Sequence, residues 1–508
     1  MNATMSSSPG APRRPRRWLR RLIGLLVLLV VAYLVLNLVA ARLLAREVAR
    51  LKADHVPFTV AEALRSEPPD THHAAVAFRK AFDGLAKEDL KAFWTLAYPL
   101  SGTPSSSDLA QIEKILARHE ADFRLLDQAL RIPNGRVEDW ERQYAPMTPT
   151  NLLRARLAVR FLAIKARADA KRGRSHDAVS DLATALRVTD RVSQGPRMIA
   201  QLVRFSCIIN ICIAIQQILR QSPPDQADTR AYYDLLNRLD LTRPYLRALK
   251  FELGRPVHIY DASSREYLAL LYPGPFWERK TRWQEMRANL QTWAMTKGWR
   301  VTRVVWAPFL KLAQVWLIRD NRAAIALAAS PYREVKTKYE RLLKQQEGRG
   351  GWSYGVLPRA YTTAVFQRGC RLRAGAAAYI SLTEAGLALR NYQIRHGAYP
   401  ASLEELRYGG GWVIADDPFS GKPLRYRREA AGYLLYSVGE DLKDDGGISR
   451  ADAAQRDAAL RAAVGAIVAK AQARARRLHQ PLPPPPPRPQ VATPPRRPTY
   501  DLSLRMER

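Results

Sequence analysis

Leu22 to Ala41 reads LIGLLVLLVVAYLVLNLVAA, with one polar interruption at Asn37 and no charge. A helix of about 20 such residues crosses roughly 30 Å of hydrocarbon, so this stretch must be surrounded by lipid or by protein along its whole length. The apolar core of a cleaved secretory leader is shorter, about 7–15 residues, which favours a retained anchor. Val39 and Ala41 also fit a small-residue cleavage site, so a cleaved leader stays open as the other reading. Arg13, Arg14, Arg16, Arg17, Arg20 and Arg21 precede the span, and Arg42, Arg46, Arg50 and Lys52, offset by Glu47, follow it. That bias places the N-terminus in the cytoplasm. The expectation is a single-pass signal-anchor in a bacterial inner membrane: residues 1–21 cytoplasmic and basic, 22–41 transmembrane, and the bulk periplasmic. The lipid bilayer is the partner of Leu22 to Ala41.

Charge adds less than its size suggests. The chain has 81 Lys and Arg against 47 Asp and Glu, a net charge of +34. Of the basic residues 64 are Arg, and they are spread along the chain rather than gathered in one block. The surplus either attracts anionic lipid, nucleic acid or cell-wall polymer, or reflects an Arg- and Ala-rich genome. Because the topology puts the bulk outside the cytoplasm, no nucleic acid partner is expected. Cys207, Cys212 and Cys370 lack a disulfide framework or zinc-ligand spacing, and read as buried small hydrophobes. Met198–Leu219 is apolar but carries Gln201, Arg204, Asn210, Gln216 and Gln217, so it reads as a buried core helix rather than a second span.

Residues 42–350 carry helical periodicity with breaks at Pro, Gly and Ser clusters, predicting an α-helical bundle body. Ser107 or Asp108 can cap a helix whose stripe runs Leu109, Ile112, Ile115, Leu116, then Leu125, Leu126 and Leu130. In RGRSHDAVSDLATALRV, residues Gly173, Ala178, Leu182, Ala185 and Leu186 stand at the spacing of the second half of a tetratricopeptide unit, which this stretch resembles. The preceding LLRARLAVRFLAIKARADAKRG would supply the first helix, and no clear second copy follows. Trp277, Trp283, Trp293, Trp299, Trp306 and Trp316 are interleaved with Arg and Lys. They read either as an amphipathic segment in the lipid headgroup layer or as large aromatics filling gaps between long helices. Residues 450–478 read as an Ala/Arg-rich C-terminal helix. Residues 479–508, with QPLPPPPPRPQ, read as a disordered Pro/Arg-rich tail.

Residues 351–449 differ in kind. A long Ala-rich helix ends at Gly397, which permits a left-handed cap, and Pro400 prevents its continuation. Ser402 can cap a short turn of helix. Asp417-Pro418 opens a turn, and Gly421 allows a positive φ. LRYRR and YLLYSV can pair as strands, with Tyr426, Tyr433 and Leu435 alternating toward the helix. Together, HGAYPASLEEL, DPFSGKPLRYR and GYLLYSVGEDLKDDGG resemble the globular half of the major pseudopilins of type II secretion systems. The resemblance implies a pilin-like α+β module and a loop, Ser437-Val438-Gly439-Glu440-Asp441, of a kind that commonly binds calcium. Asp441, Asp444 and Asp445 are then the candidate calcium ligands, hard oxygens of the type that ion selects. The prepilin-peptidase pattern of that family is absent around Arg20–Leu26, and the membrane span lies far upstream of this helix.

No catalytic residue emerges. Gly351–Gly355, GWSYG, matches a nucleophile elbow but lacks the strand before it and the helix after it. His72-His73 beside Asp70 has no further spaced ligands. The chain therefore reads as mainly α: a transmembrane helix, a helical-bundle body, a small pilin-like module and a disordered tail. The expected function is a non-enzymatic envelope scaffold with protein partners and no identified small-molecule substrate. The alternative is an envelope enzyme with its active site between body and module.

Overall fold

The computed structural model describes residues 17–58, 60–65, 74–85, 106–139, 150–254, 304–347, 359–407, 411–430, 432–447 and 502–507. Four of the six clustered tryptophans, His72-His73, the GWSYG segment, the 450–478 helix and residues 479–501 lie outside them. Two compact units emerge. One comprises Met1–His55, Pro256–Arg319 and Arg349–Leu357; the other comprises Val56–Arg255, Asp320–Gly348 and Pro358–Arg508.

In the first unit the apolar segment sits inside α1 (Arg17–Ala53), which continues past the span through the basic stretch after it. From Leu22 to Val39 its large apolar side chains are 46–64% exposed, apart from the half-buried Tyr33 and Leu36. Helix α11 (Ala307–Ala328) begins in this unit. Lys311 Nζ donates to Asn37 Oδ1 at 2.9 Å, so the one polar interruption of the apolar segment has a partner.

The second unit is built from helices α2 (Val60–Leu64), α3 (Ala74–Leu85), α4 (Ser106–Arg118), α5 (Glu120–Arg131), α6 (Thr150–Lys171) and α7 (Ser175–Ser193). There follow α8 (Met198–Gln221), α9 (Gln226–Leu236), α10 (Arg243–Gly254), the end of α11, α12 (Tyr332–Glu347), α13 (Arg359–His396) and α14 (Glu404–Arg407). The expected stripe from Leu109 to Leu130 is broken at His119 into α4 and α5. Leu125 faces solvent while Leu126 and Leu130 are buried. The tetratricopeptide-like stretch forms an antiparallel hairpin of α6 and α7. Gly173 turns it with φ +77°, and Ala178, Leu182, Ala185 and Leu186 are buried in it. Small side chains there let the two backbones approach.

Helix α8 is buried on nearly all sides, as its lack of a polar face requires. Its polar residues bond within the protein, although Gln201 Oε1 and Arg204 Nε are left without a partner among the described residues. Gln201 donates to the Ser193 carbonyl at 2.9 Å, Arg204 to the Asp240 carbonyl at 2.8 Å, and Gln216 to Thr383 Oγ1 at 2.9 Å. Asn210 donates back to the Ser206 carbonyl at 2.7 Å. Those bonds let a helix of membrane-like hydropathy serve as a core helix.

Helix α13 packs along α8, and one hydrophobic core runs from Leu64 through α8 and α13 to Leu504. Gly397 ends α13 at φ +74°, its N–H donating to the Gln393 carbonyl. At α14 the Glu405 carboxylate, rather than the Ser402 hydroxyl, does the capping, accepting from the N–H groups of Ala401 and Ser402. Strands β1 (Arg425–Glu429) and β2 (Gly432–Ser437) pair antiparallel, Tyr426 opposite Leu435. The expected disordered tail needs correcting at its end, because Leu502–Glu507 forms β3 on the other side of β2, Leu504 opposite Leu435. Leu504 is fully buried against α13. Its alternating apolar pattern was masked by the proline run before it.

Candidate functional site

The DPFSG turn and the SVGED loop are joined by one buried carboxylate. Asp417 Oδ1 accepts from the Phe419 N–H at 3.0 Å and the Ser437 hydroxyl at 2.7 Å. Its Oδ2 accepts from the Ser420 hydroxyl at 2.8 Å and the Val438 N–H at 3.3 Å. Gly421, at φ +67°, lets the turn close, and its N–H donates to the Asp417 carbonyl. Asp417 thus welds the turn before β1 to the loop after β2.

The three candidate calcium ligands do not converge. Asp441 Oδ1 accepts from the Lys443 N–H, 3.1 Å away in the same loop. Asp444 Oδ1 accepts from the Tyr436 hydroxyl at 2.9 Å and the Gly446 N–H at 3.1 Å, while its Oδ2 faces Arg425 at 3.3 Å. Asp445 also makes an interaction. A cation already sits on the loop backbone: Lys336 Nζ, from α12, donates to the Glu440 carbonyl at 3.1 Å and approaches that of Asp441 at 3.5 Å. Arg371 of α13 pairs with the Glu440 carboxylate at 3.3 Å. Among the described residues, no three His, Cys, Asp or Glu side chains are grouped to hold a metal.

A second cluster lies in the α6–α7 hairpin. Lys165 and Asp169 are one helical turn apart on α6, and the Lys165 ammonium reaches Asp169 Oδ2 at 3.1 Å and both Asp181 oxygens at 2.8 Å. Arg174, just past the Gly173 turn, donates from Nε to Asp169 Oδ1 at 2.9 Å. Burial pushes the Asp181 carboxyl up to about 7, against the opposing pull of the Lys165 ammonium. Burial also works to raise Asp169, but Arg174 and Lys165 outweigh it and hold that carboxyl below the usual range. Tyr232 of α9 is buried with its hydroxyl unbonded among the described residues. Burial, with Asp228 and Asp181 nearby, pushes its phenol well upward. Two cations against two carboxylates make a near-neutral cluster in which the carboxyls titrate together.

Glu384 of α13 is the third. It is 7% exposed and has no ionic or hydrogen-bonding partner among the described residues; burial pushes its carboxyl up to about 7. Its neighbour Thr383 bonds Gln216, and Cys212 lies close enough to feel its charge. Cys207, Cys212 and Cys370 are all buried free thiols, which burial pushes up, Cys207 and Cys212 to about 12. Such thiols are poor nucleophiles.

Neither titratable cluster was foreseen from sequence. Its trace there was slight: a Lys-x-x-x-Asp pair in the first hairpin helix, and a lone Glu within the Ala-rich AGAAAYISLTEAGLAL. Comparison with protein-family models, with curated proteins and with solved structures found no match for this chain.

Proposed function

We propose that this chain is a membrane-anchored, non-enzymatic scaffold or interaction protein of the bacterial envelope. One observation carries the reading: α1 holds an uncharged bilayer-length stretch whose large side chains stand mostly exposed, while α8, also long and apolar enough to cross a membrane, is consumed in the core. An exposed span of that kind needs lipid around it. The Arg-rich flank before Leu22 favours the N-terminus inside and the helical unit outside. A link to secretion- or pilus-type machinery is supported by a long helix carrying an antiparallel sheet and by the Asp417-centred turn, in the order the pseudopilin resemblance implies. The test is fractionation of the expressing bacterium with an alkaline carbonate wash, followed by protease treatment of spheroplasts. Retention in the membrane with external digestion supports the reading. Release by carbonate, or protection of the bulk from protease, overturns it.

The enzyme alternative is favoured by Glu384 and Asp181, two carboxyls that burial pushes up to about 7, where acid–base groups work. A hydrolase screen of the purified chain beside Glu384→Gln and Asp181→Asn separates the two. An activity lost in either folded variant would displace the scaffold reading.

A further inference from the structure

Four large apolar side chains stand in the open at the start of α11. Val304, Val305, Trp306 and Phe309 are 45–70% exposed, and the Trp306 and Phe309 rings lie 5.5 Å apart. Polar contacts fix their position along α1. The Tyr33 hydroxyl donates to the Val304 carbonyl, Lys311 Nζ to Asn37 Oδ1, and Arg319 Nε to Glu47 Oε1. Partners advance together on both segments, so α11 runs parallel to α1 and in step with it. Counting about 1.5 Å per residue from Ala41, Tyr33 lies about 12 Å inside the uncharged span, Asn37 about 6 Å inside it, and Glu47 about 9 Å beyond it.

We propose that Val304–Phe309 is a wedge that enters the bilayer leaflet at the Ala41 end of α1 and lies in lipid beside it. This rests on the reading of α1 as membrane-spanning. Lipid is the occupant because the exposed patch is continuous in depth with the exposed apolar face of α1. Val304 and Val305 sit at hydrocarbon depth. Trp306 and Phe309 lie between that depth and Lys311. Lys311 stands near the boundary with its ammonium on Asn37, as a snorkelling lysine would. Beyond the span Arg319 and Arg50 pair with Glu47; burial would raise that carboxyl, but Arg319 and Arg50 hold it below the usual range. The carbonyl that opens the wedge is satisfied by Tyr33, as a backbone group in hydrocarbon requires.

The experiment reconstitutes the full chain in phosphatidylcholine–phosphatidylglycerol vesicles with one nitroxide label at a time. Labels go on Val305→Cys, Phe309→Cys, Leu29→Cys as the span reference and Leu125→Cys as the aqueous reference. The native thiols are buried and react poorly. Collision with oxygen is compared with collision with a water-soluble nickel chelate. Expected is an oxygen-to-nickel ratio at 305 and 309 several-fold above that at 125 and close to that at 29. A lipid-like ratio at 29 with water-like ratios at 305 and 309 overturns the wedge and leaves the anchor standing. A water-like ratio at 29 overturns the anchor and the wedge with it. Labels at 305 and 309 shielded from both reagents would show a protein occupant and overturn the assignment to lipid.

Discussion

Glu384→Gln should flatten the acid-to-neutral stability profile of the helical unit. Glu384 has Ile380 and Ala388 one turn away on either side in α13 and no partner among the described residues, so burial alone raises it from 4.5 to about 7. A shift of that size, at about 1.4 kcal/mol per pH unit, is worth about 3 kcal/mol. The native state holds this proton more tightly than the unfolded chain does, so stability falls as pH rises. The contribution is fully present below about pH 4.5 and is lost as pH climbs through about 7. Glutamine keeps the size of the side chain and cannot ionise. Urea unfolding of the detergent-solubilised chain, from about pH 4 to about pH 8, should show the wild type losing about 3 kcal/mol relative to the variant. Taking the difference between the two cancels every other titrating group. Parallel profiles would refute the reasoning, because they would mean that Glu384 ionises as an ordinary surface carboxyl.

Asp417→Ala strips the acceptor from four donors at once and should cost about 3 kcal/mol or more in urea unfolding, with proteolysis beginning at the turn before β1. Leu504→Ala should cost about 2–5 kcal/mol by emptying a fully buried position of β3 against α13. On the opposite wall, Gly386→Ala should cost about 1–3 kcal/mol, since an added Cβ meets Leu504 Cδ2 at 2.8 Å. An unchanged melting temperature in both would mean that β3 does not dock. Calcium should leave the wild-type melting temperature where it is, because Asp441 and Asp444 bond within their own loop and Lys336 occupies the loop carbonyls. A calcium-dependent rise abolished by Asp441→Ala would show that the loop rearranges to take the metal.

Much of the local architecture was legible because it follows from short-range physics. A bilayer-length uncharged run, a helix stop at Gly397, a turn at Gly421 and the strands LRYRR and YLLYSV each depend on residues close in sequence. The burial of α8 was legible too, from the polar residues that a lipid-facing helix would not carry. Which groups those residues bond to was not: Gln216 finds Thr383, and Arg204 finds the Asp240 carbonyl, only once distant helices meet. The same holds for the sites. Asp441 and Asp444 are neighbours in sequence yet are held by different partners, Asp441 by its own loop and Asp444 by β1 and β2. Asp169 and Asp181 become a charged cluster only because Gly173 folds α7 back onto α6. Leu504 becomes core only because β2 has a free edge. Sequence by itself determined where helices and turns can form, since dihedral preference and periodicity act over a few residues. Only the tertiary structure decided which carboxyls are buried, paired or left alone, because burial and charge pairing depend on parts of the chain that sequence distance does not bring together.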